Sequence, residues 1–214
     1  MNDAKRPRGR PKDTRKRIAL LDAARDLFLA TGPHVTTEQV AAHAGVAKST
    51  LYANFPDKAA LIEAVLRREA DRTITDEEFD SYLQERITVE TLTQFGVRYL
   101  SFVNSAELAG WDRLISSLGL TEPELTKHFF NLGPGRNQRL LEELLRHAVE
   151  QDMLLPVQPE RAADLLTGLW LGFVNLEIKL GVSAPLSDKD VYDRVERGLN
   201  LFLKVYEKSE WVRS

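Results

Sequence analysis

The stretch TTEQVAAHAGVAKSTLYANFPDKAAL, residues 36–61, decides how the rest of the chain is read. Thr36, followed three residues later by Gln39, has capping-box spacing, in which two side chains satisfy each other's backbone amides at a helix start. Val40, Ala41 and Ala44 supply a small apolar stripe, and Gly45 ends a very short helix. After the Gly45-Val46 turn, AKSTLYANF opens a second short helix. Pro56 must end it, because proline lacks an amide hydrogen and disfavours helical geometry at Phe55. Asp57 then reads as the N-cap of a longer helix through Leu61, Ile62, Val65 and Leu66 toward Arg72. Upstream, Ile18, Leu21, Ala24 and Phe28 recur at spacings of three and four before Gly32-Pro33, which predicts one helix with a glycine stop. Two short helices joined by a tight glycine turn, with a third able to pack across them, make a helix-turn-helix arrangement. Ala41, Ala44 and Gly45 are small because closely crossing helices leave no room for more. Leu51 and Phe55 anchor the second helix inward, while Lys48, Ser49, Thr50, Tyr52 and Asn54 form a polar face able to reach base edges and phosphates in a major groove.

Outward from that motif, charge is segregated. Residues 5–17, KRPRGRPKDTRKR, hold eight basic side chains against Asp13; with Asp3, residues 1–17 carry +6, and the other 197 residues of this chain of net charge −3 carry −9. Such asymmetry points one end of the molecule toward a polyanion. Within it, Arg8-Gly9-Arg10-Pro11 resembles the core of an AT-hook: glycine permits close approach, proline keeps the backbone extended, and the two arginines suit the enhanced negative potential of a narrow A·T-rich minor groove. The arm directly precedes the first helix, as homeodomain arms do. A diffuse attraction to phosphate is the simpler alternative.

The chain has 214 residues and no cysteine, which excludes disulfides and thiolate metal sites and suits a reducing cytoplasm. Its longest apolar run, LLTGLWLGFV at 165–174, is far short of the roughly 20 residues that span a bilayer. Beyond residue 73 the pattern lengthens into amphipathic segments at 88–104, 106–118, 123–131, 136–152, 159–180 and 188–207. Breaks fall at Gly119, GPG (133–135), Pro156, Pro159 and GVSAP (181–185). The expectation is an all-α protein: a basic arm (1–13), a helix-turn-helix domain (14–56), a connecting helix (57–72) and a helical bundle (73–214).

Wide apolar stripes over 162–180 (Leu165, Leu166, Leu169, Trp170, Phe173, Leu176, Leu180) and along the final helix (Val191, Val195, Leu199, Phe202, Tyr206) suggest more than one buried face. Aromatic residues gather at Phe95, Tyr99, Phe102, Trp111, Phe129 and Phe130, with Asn104, Arg113 and His128 nearby in sequence. With Trp170 they form a candidate pocket for an apolar or aromatic effector. His34, His43, His128 and His147 have no metal-ligand spacing, so neither metal nor cofactor is expected. G-x-S-x-G, P-loop and G-x-G-x-x-G patterns are missing, and GPGRNQ lacks the third glycine and follows a helix, which argues against an enzyme.

Residues 36–61, with the first helix (14–31) and the start of the fourth, resemble the DNA-binding signature of the TetR family of bacterial transcriptional regulators. The resemblance implies that Thr37, Tyr52 and Lys58 contact phosphates, Thr50 the backbone or a base edge, and Lys48, Ser49 and Asn54 bases. The family often has serine where this chain has Ala47, so the recognition helix lacks its usual side-chain cap. The resemblance further implies a homodimer built on the last two long helices, here Leu166, Trp170, Phe173, Val195, Leu199 and Phe202, and reading a palindromic double-stranded DNA operator. Its implied activity is repression relieved by a small-molecule effector. The C-terminal sequence distantly resembles AefR-type ligand-binding domains. An architectural, non-sequence-specific DNA-binding protein and a regulator controlled by a protein partner are the competing classes.

Overall fold

The computed structural model describes residues 14–32, 34–71, 74–105, 108, 110–111, 115–116 and 123–208, except the side chains of residues 125 and 129. Among these residues every regular element is a helix, as the all-α reading requires, and Leu154 and Glu207 share an isolated bridge. The chain divides into two compact units after Val65.

The first unit holds α1 (Thr14–Thr31), α2 (Thr37–His43), α3 (Lys48–Asn54) and the start of α4 (Lys58–Asp71), the helix in which the division falls. The capping box forms: the Gln39 amide donates to Thr36 Oγ1 at 3.2 Å and the Thr36 amide to Gln39 Oε1 at 2.8 Å. At the other end of α2, Gly45 takes a left-handed φ of 64°. The Val46 amide then reaches the Ala41 carbonyl at 3.0 Å and the Gly45 amide that of Ala42 at 3.1 Å. This paired arrangement satisfies the last carbonyls of a helix and needs a residue that tolerates positive φ. Helices α1, α2 and α3 pack on one another around Leu20, Ala24, Phe28, Val40, Ala41, Leu51 and Phe55, all buried. Asp57 caps α4 by accepting from the Ala60 amide at 2.7 Å.

The second unit contains α5 (Asp76–Gln84), α6 (Val89–Val103), α7 (Pro123–Leu132), α8 (Pro134–Glu150), α9 (Pro159–Lys179) and α10 (Asp188–Tyr206). Residues 108, 110–111 and 115–116 are also helical; the rest of the 106–118 segment lies outside the described residues. Helix α5 is an addition to the sequence reading. Its start has the same capping box as α2, here Thr75 with Glu78, but its apolar positions are too few to stand out. GPG does not stop a helix so much as start one: Gly133 makes the break, and Pro134 opens α8 in its first turn, where a missing amide hydrogen is harmless.

Helices α6, α8, α9 and α10 enclose the core. Trp170 lies fully buried at its centre and donates its indole hydrogen to the Val195 carbonyl at 3.3 Å. Two glycines make room for it: a Cβ on Gly96 would stand 2.8 Å from Trp170 Cζ2, and one on Gly198 would stand 2.9 Å from Cδ1. Helix α9 is broken at Gly172, whose φ of 52° and ψ of −167° fall in a region essentially reserved for glycine. Arg194 of α10 answers the break: its Nε donates to the Trp170 carbonyl, and its Nη2 to that of Leu171 at 3.0 Å.

Candidate nucleic-acid interface

The face formed by α2 and α3 carries the polar set. Lys48, Ser49 and Tyr52 are exposed, and Thr50 is half-buried. Thr37 is mostly buried and donates its hydroxyl hydrogen to Glu38 Oε2 at 3.2 Å. Its oxygen also lies 3.1 Å from the Tyr52 hydroxyl. Because a threonine has one hydroxyl hydrogen to give, the phenol is the donor in that second bond. The Lys48 ammonium is paired with Glu38 Oε1 and sits 5.7 Å from the centre of the Tyr52 ring. A hydrogen bond from Lys48, then one from its own backbone, hold the Glu38 carboxyl down to about 2, and the same contact raises Lys48 above its ordinary value. Both side chains are more than half exposed, so the pair itself adds little stability.

Beside this network lies an open depression of about 310 Å³ whose walls include Thr36, Thr37, Tyr52 and Lys58, together with His34, Asp57 and Glu38. The three residues assigned to phosphate by family resemblance thus line a single concavity. Both hydroxyls are already engaged within the protein, so a bound oxyanion would have to draw their hydrogens away from Glu38 and Thr37. Glu38 and His34 did not emerge from the sequence. Glu38 lies ten positions before Lys48, and only the turn at Gly45 brings them together, a distance no helical spacing encodes.

One assignment changes. Asn54 does not offer its amide to the groove: Nδ2 donates to the Thr50 carbonyl at 2.9 Å, and Oδ1 is buried. At the last position of α3, its side chain folds back on its own helix. Arg8 and Arg10 lie outside the described residues. Ala47 is the N-cap of α3 and makes no side-chain capping bond. The expected result of Ala47→Ser is a gain of about 1 kcal/mol in thermal unfolding of the helix-turn-helix unit; an unchanged melting curve would show that the vacant cap is already satisfied.

In the second unit, Phe95, Tyr99, Trp111 and Trp170 are buried. The Phe95 and Tyr99 rings stack with centres 6.5 Å apart, and Tyr99 lies 6.3 Å from Trp170. Trp170 therefore belongs to the core. Phe102 is half-buried and His128 exposed; Arg113 and the Phe129 side chain lie outside the described residues. Asn104 is committed to the fold, exchanging two 3.0 Å hydrogen bonds with the backbone of Leu186. A polar group missed by the sequence reading is Asn137, 2 % exposed on the inner face of α8, whose Oδ1 accepts no hydrogen bond among the described residues.

The residues expected at a dimer face divide by exposure. Leu166, Trp170, Val195, Leu199 and Phe202 are at most 1 % exposed within the single chain, so its own core already occupies them. Phe173, at 75 %, is exposed, and with it Leu165, Leu176, Leu180, Leu201 and Val205. No helix among the described residues is long and apolar enough to cross a membrane.

Residues 20–65 match the model for bacterial regulatory proteins of the tetR family, and residues 90–208 match that of the AefR-like transcriptional repressor C-terminal domain. A solved TetR-family transcriptional regulator from Mesorhizobium loti MAFF303099 superposes with a TM-score of 0.78 at 23 % identity, covering 94 % of this chain and all of that one. The flavonoid-responsive regulator FrrA superposes at 0.69 with 30 % identity, covering 91 % of this chain and 98 % of its own. The nucleoid occlusion factor SlmA of Shewanella denitrificans is 31 % identical over 94 residues, or 41 % of this chain. The chain spans about half, 48 %, of that curated relative's length.

Proposed function

The chain belongs to the TetR family of bacterial regulatory proteins, a family of DNA-binding transcriptional regulators, and from that premise we propose that it is a cytoplasmic repressor released from a palindromic operator by a small-molecule effector. The observation that carries this reading is the convergence of Thr37, Tyr52 and Lys58 on one depression beside the exposed Lys48 and Ser49 of α3. The first three position the protein on phosphates; Lys48, Ser49 and Thr50 face base edges. Arg8 and Arg10 enter the flanking minor groove. Two copies, joined through the exposed apolar residues of α9 and α10, read the two half-sites.

The effector is apolar or aromatic and binds the second unit, with α4, whose residues belong to both units, carrying the signal. It relieves repression by favouring the form that binds DNA poorly. The buried Asn137 oxygen, which accepts no hydrogen bond among the described residues, supports a site that takes a donor from its ligand. A relative responsive to flavonoids supports an aromatic one.

Selection from random duplexes, followed by competition with random DNA at moderate salt, tests the reading: a sequence-specific remainder must survive. In that assay Lys58→Ala is expected to weaken selected and random DNA alike and to lower the salt slope by about one. A slope unchanged within error removes Lys58 from the phosphate set, and a complete loss of signal to random competitor would indicate an architectural protein.

A further inference from the structure

Three donors on the DNA face are engaged within the protein. Thr37 gives its hydroxyl hydrogen to Glu38, Lys48 pairs with the other oxygen of the same carboxylate, and Tyr52 gives its hydrogen to Thr37. Three residues of the interface set are thus organised, directly or through one another, by a single anion from α2. A carboxylate with two oxygens, each taking one charged or hydroxyl donor, presents these groups with much the same chemistry as two oxygens of a phosphodiester.

We propose that Glu38 is an internal stand-in for a DNA phosphate and restrains DNA binding through Lys48. DNA binding is then an exchange: Lys48 leaves a carboxylate and gains a DNA acceptor, while Glu38 is left beside a polyanion. On a cognate site that exchange is completed, because Lys48 gains a base-edge acceptor at a fixed position. On random duplex the new partner is only another anion, so Lys48 stays on Glu38 and one phosphate goes unneutralised. The pair therefore weakens both kinds of binding, withholding a cation from random duplex and having to be broken on a cognate site. Its half-exposed setting suits this role, since a strongly buried pair would not open. The inference rests on the DNA-binding reading above.

The test compares the full-length chain with Glu38→Gln, Lys48→Ala and the double variant on random duplex and on a selected operator, over a range of salt. Glutamine keeps the size and hydrogen-bonding capacity of the side chain, and circular dichroism checks the fold. For Glu38→Gln the expected result is tighter binding to both duplexes, by up to about fivefold, with a salt slope steeper by about 0.9 on random duplex, where Lys48 becomes free to neutralise one more phosphate. In the Lys48→Ala background the Glu38 substitution is expected to do nothing further, since it acts through that ammonium. No gain on either DNA, an unchanged slope on random duplex, or a full effect without Lys48 would each overturn the proposal while leaving the DNA-binding reading intact. A wild-type chain that binds no duplex overturns both.

Discussion

A chain carrying Phe173→Glu together with Leu180→Glu is expected to fold normally, sediment as a monomer and lose operator affinity by at least about a hundredfold. Phe173 and Leu180 are 75 % and 69 % exposed in the single chain, so a carboxylate at either position remains in water until a second copy approaches. Association would then bury two unpaired charges per protomer in an apolar contact, a cost of several kcal/mol. With the dimer lost, each half-site is bound alone. The avidity of linked sites, about 10² to 10⁴, is lost with it. Sedimentation velocity beside an operator titration decides the matter, and an intact dimer would place the interface elsewhere. The contrast is Leu199→Glu, 1 % exposed: there the charge enters the chain's own core, so unfolding and not mere dissociation is expected.

Truncating Trp170 to alanine is expected to cost the larger unit about 3–5 kcal/mol. At about 2–4 °C per kcal/mol for a unit of this size, the melting temperature should fall by about 6–20 °C. The indole fills the space that Gly96 and Gly198 leave open and donates to the Val195 carbonyl, so its loss leaves a cavity and an acceptor without its partner. The same measurement separates core from ligand wall. If Trp170 lined an effector site, the substitution would spare the melting temperature and abolish the ligand-induced shift instead.

The first unit was legible because its signals are local. A capping box, a glycine turn and a proline stop each act within a few residues, and Leu51 and Phe55 lie inward as their spacing implies. Asn54 and Glu38 were not, since their partners depend on how α3 ends and on how a turn folds one helix past another. In the second unit composition identified the helices but not what each stripe faces. Leu166 and Phe173 are seven residues apart, a spacing that puts them on one face of an unbroken helix. One is fully buried and the other three-quarters exposed, because the backbone leaves helical geometry between them at Gly172. A glycine at that place is no warning by itself, as Gly168 lies in the same helix at ordinary angles.

That break also separates two kinds of position within one helix. The buried residues of α9, Ala162, Ala163, Leu166 and Trp170, all precede Gly172, while Phe173, Leu176 and Leu180 follow it. Substitutions at the buried residues before the glycine act on the chain's own core, whereas those at Phe173, Leu176 and Leu180 are expected to leave it intact. The distal half can therefore change its surface without unsettling the fold, while Arg194 holds the joint.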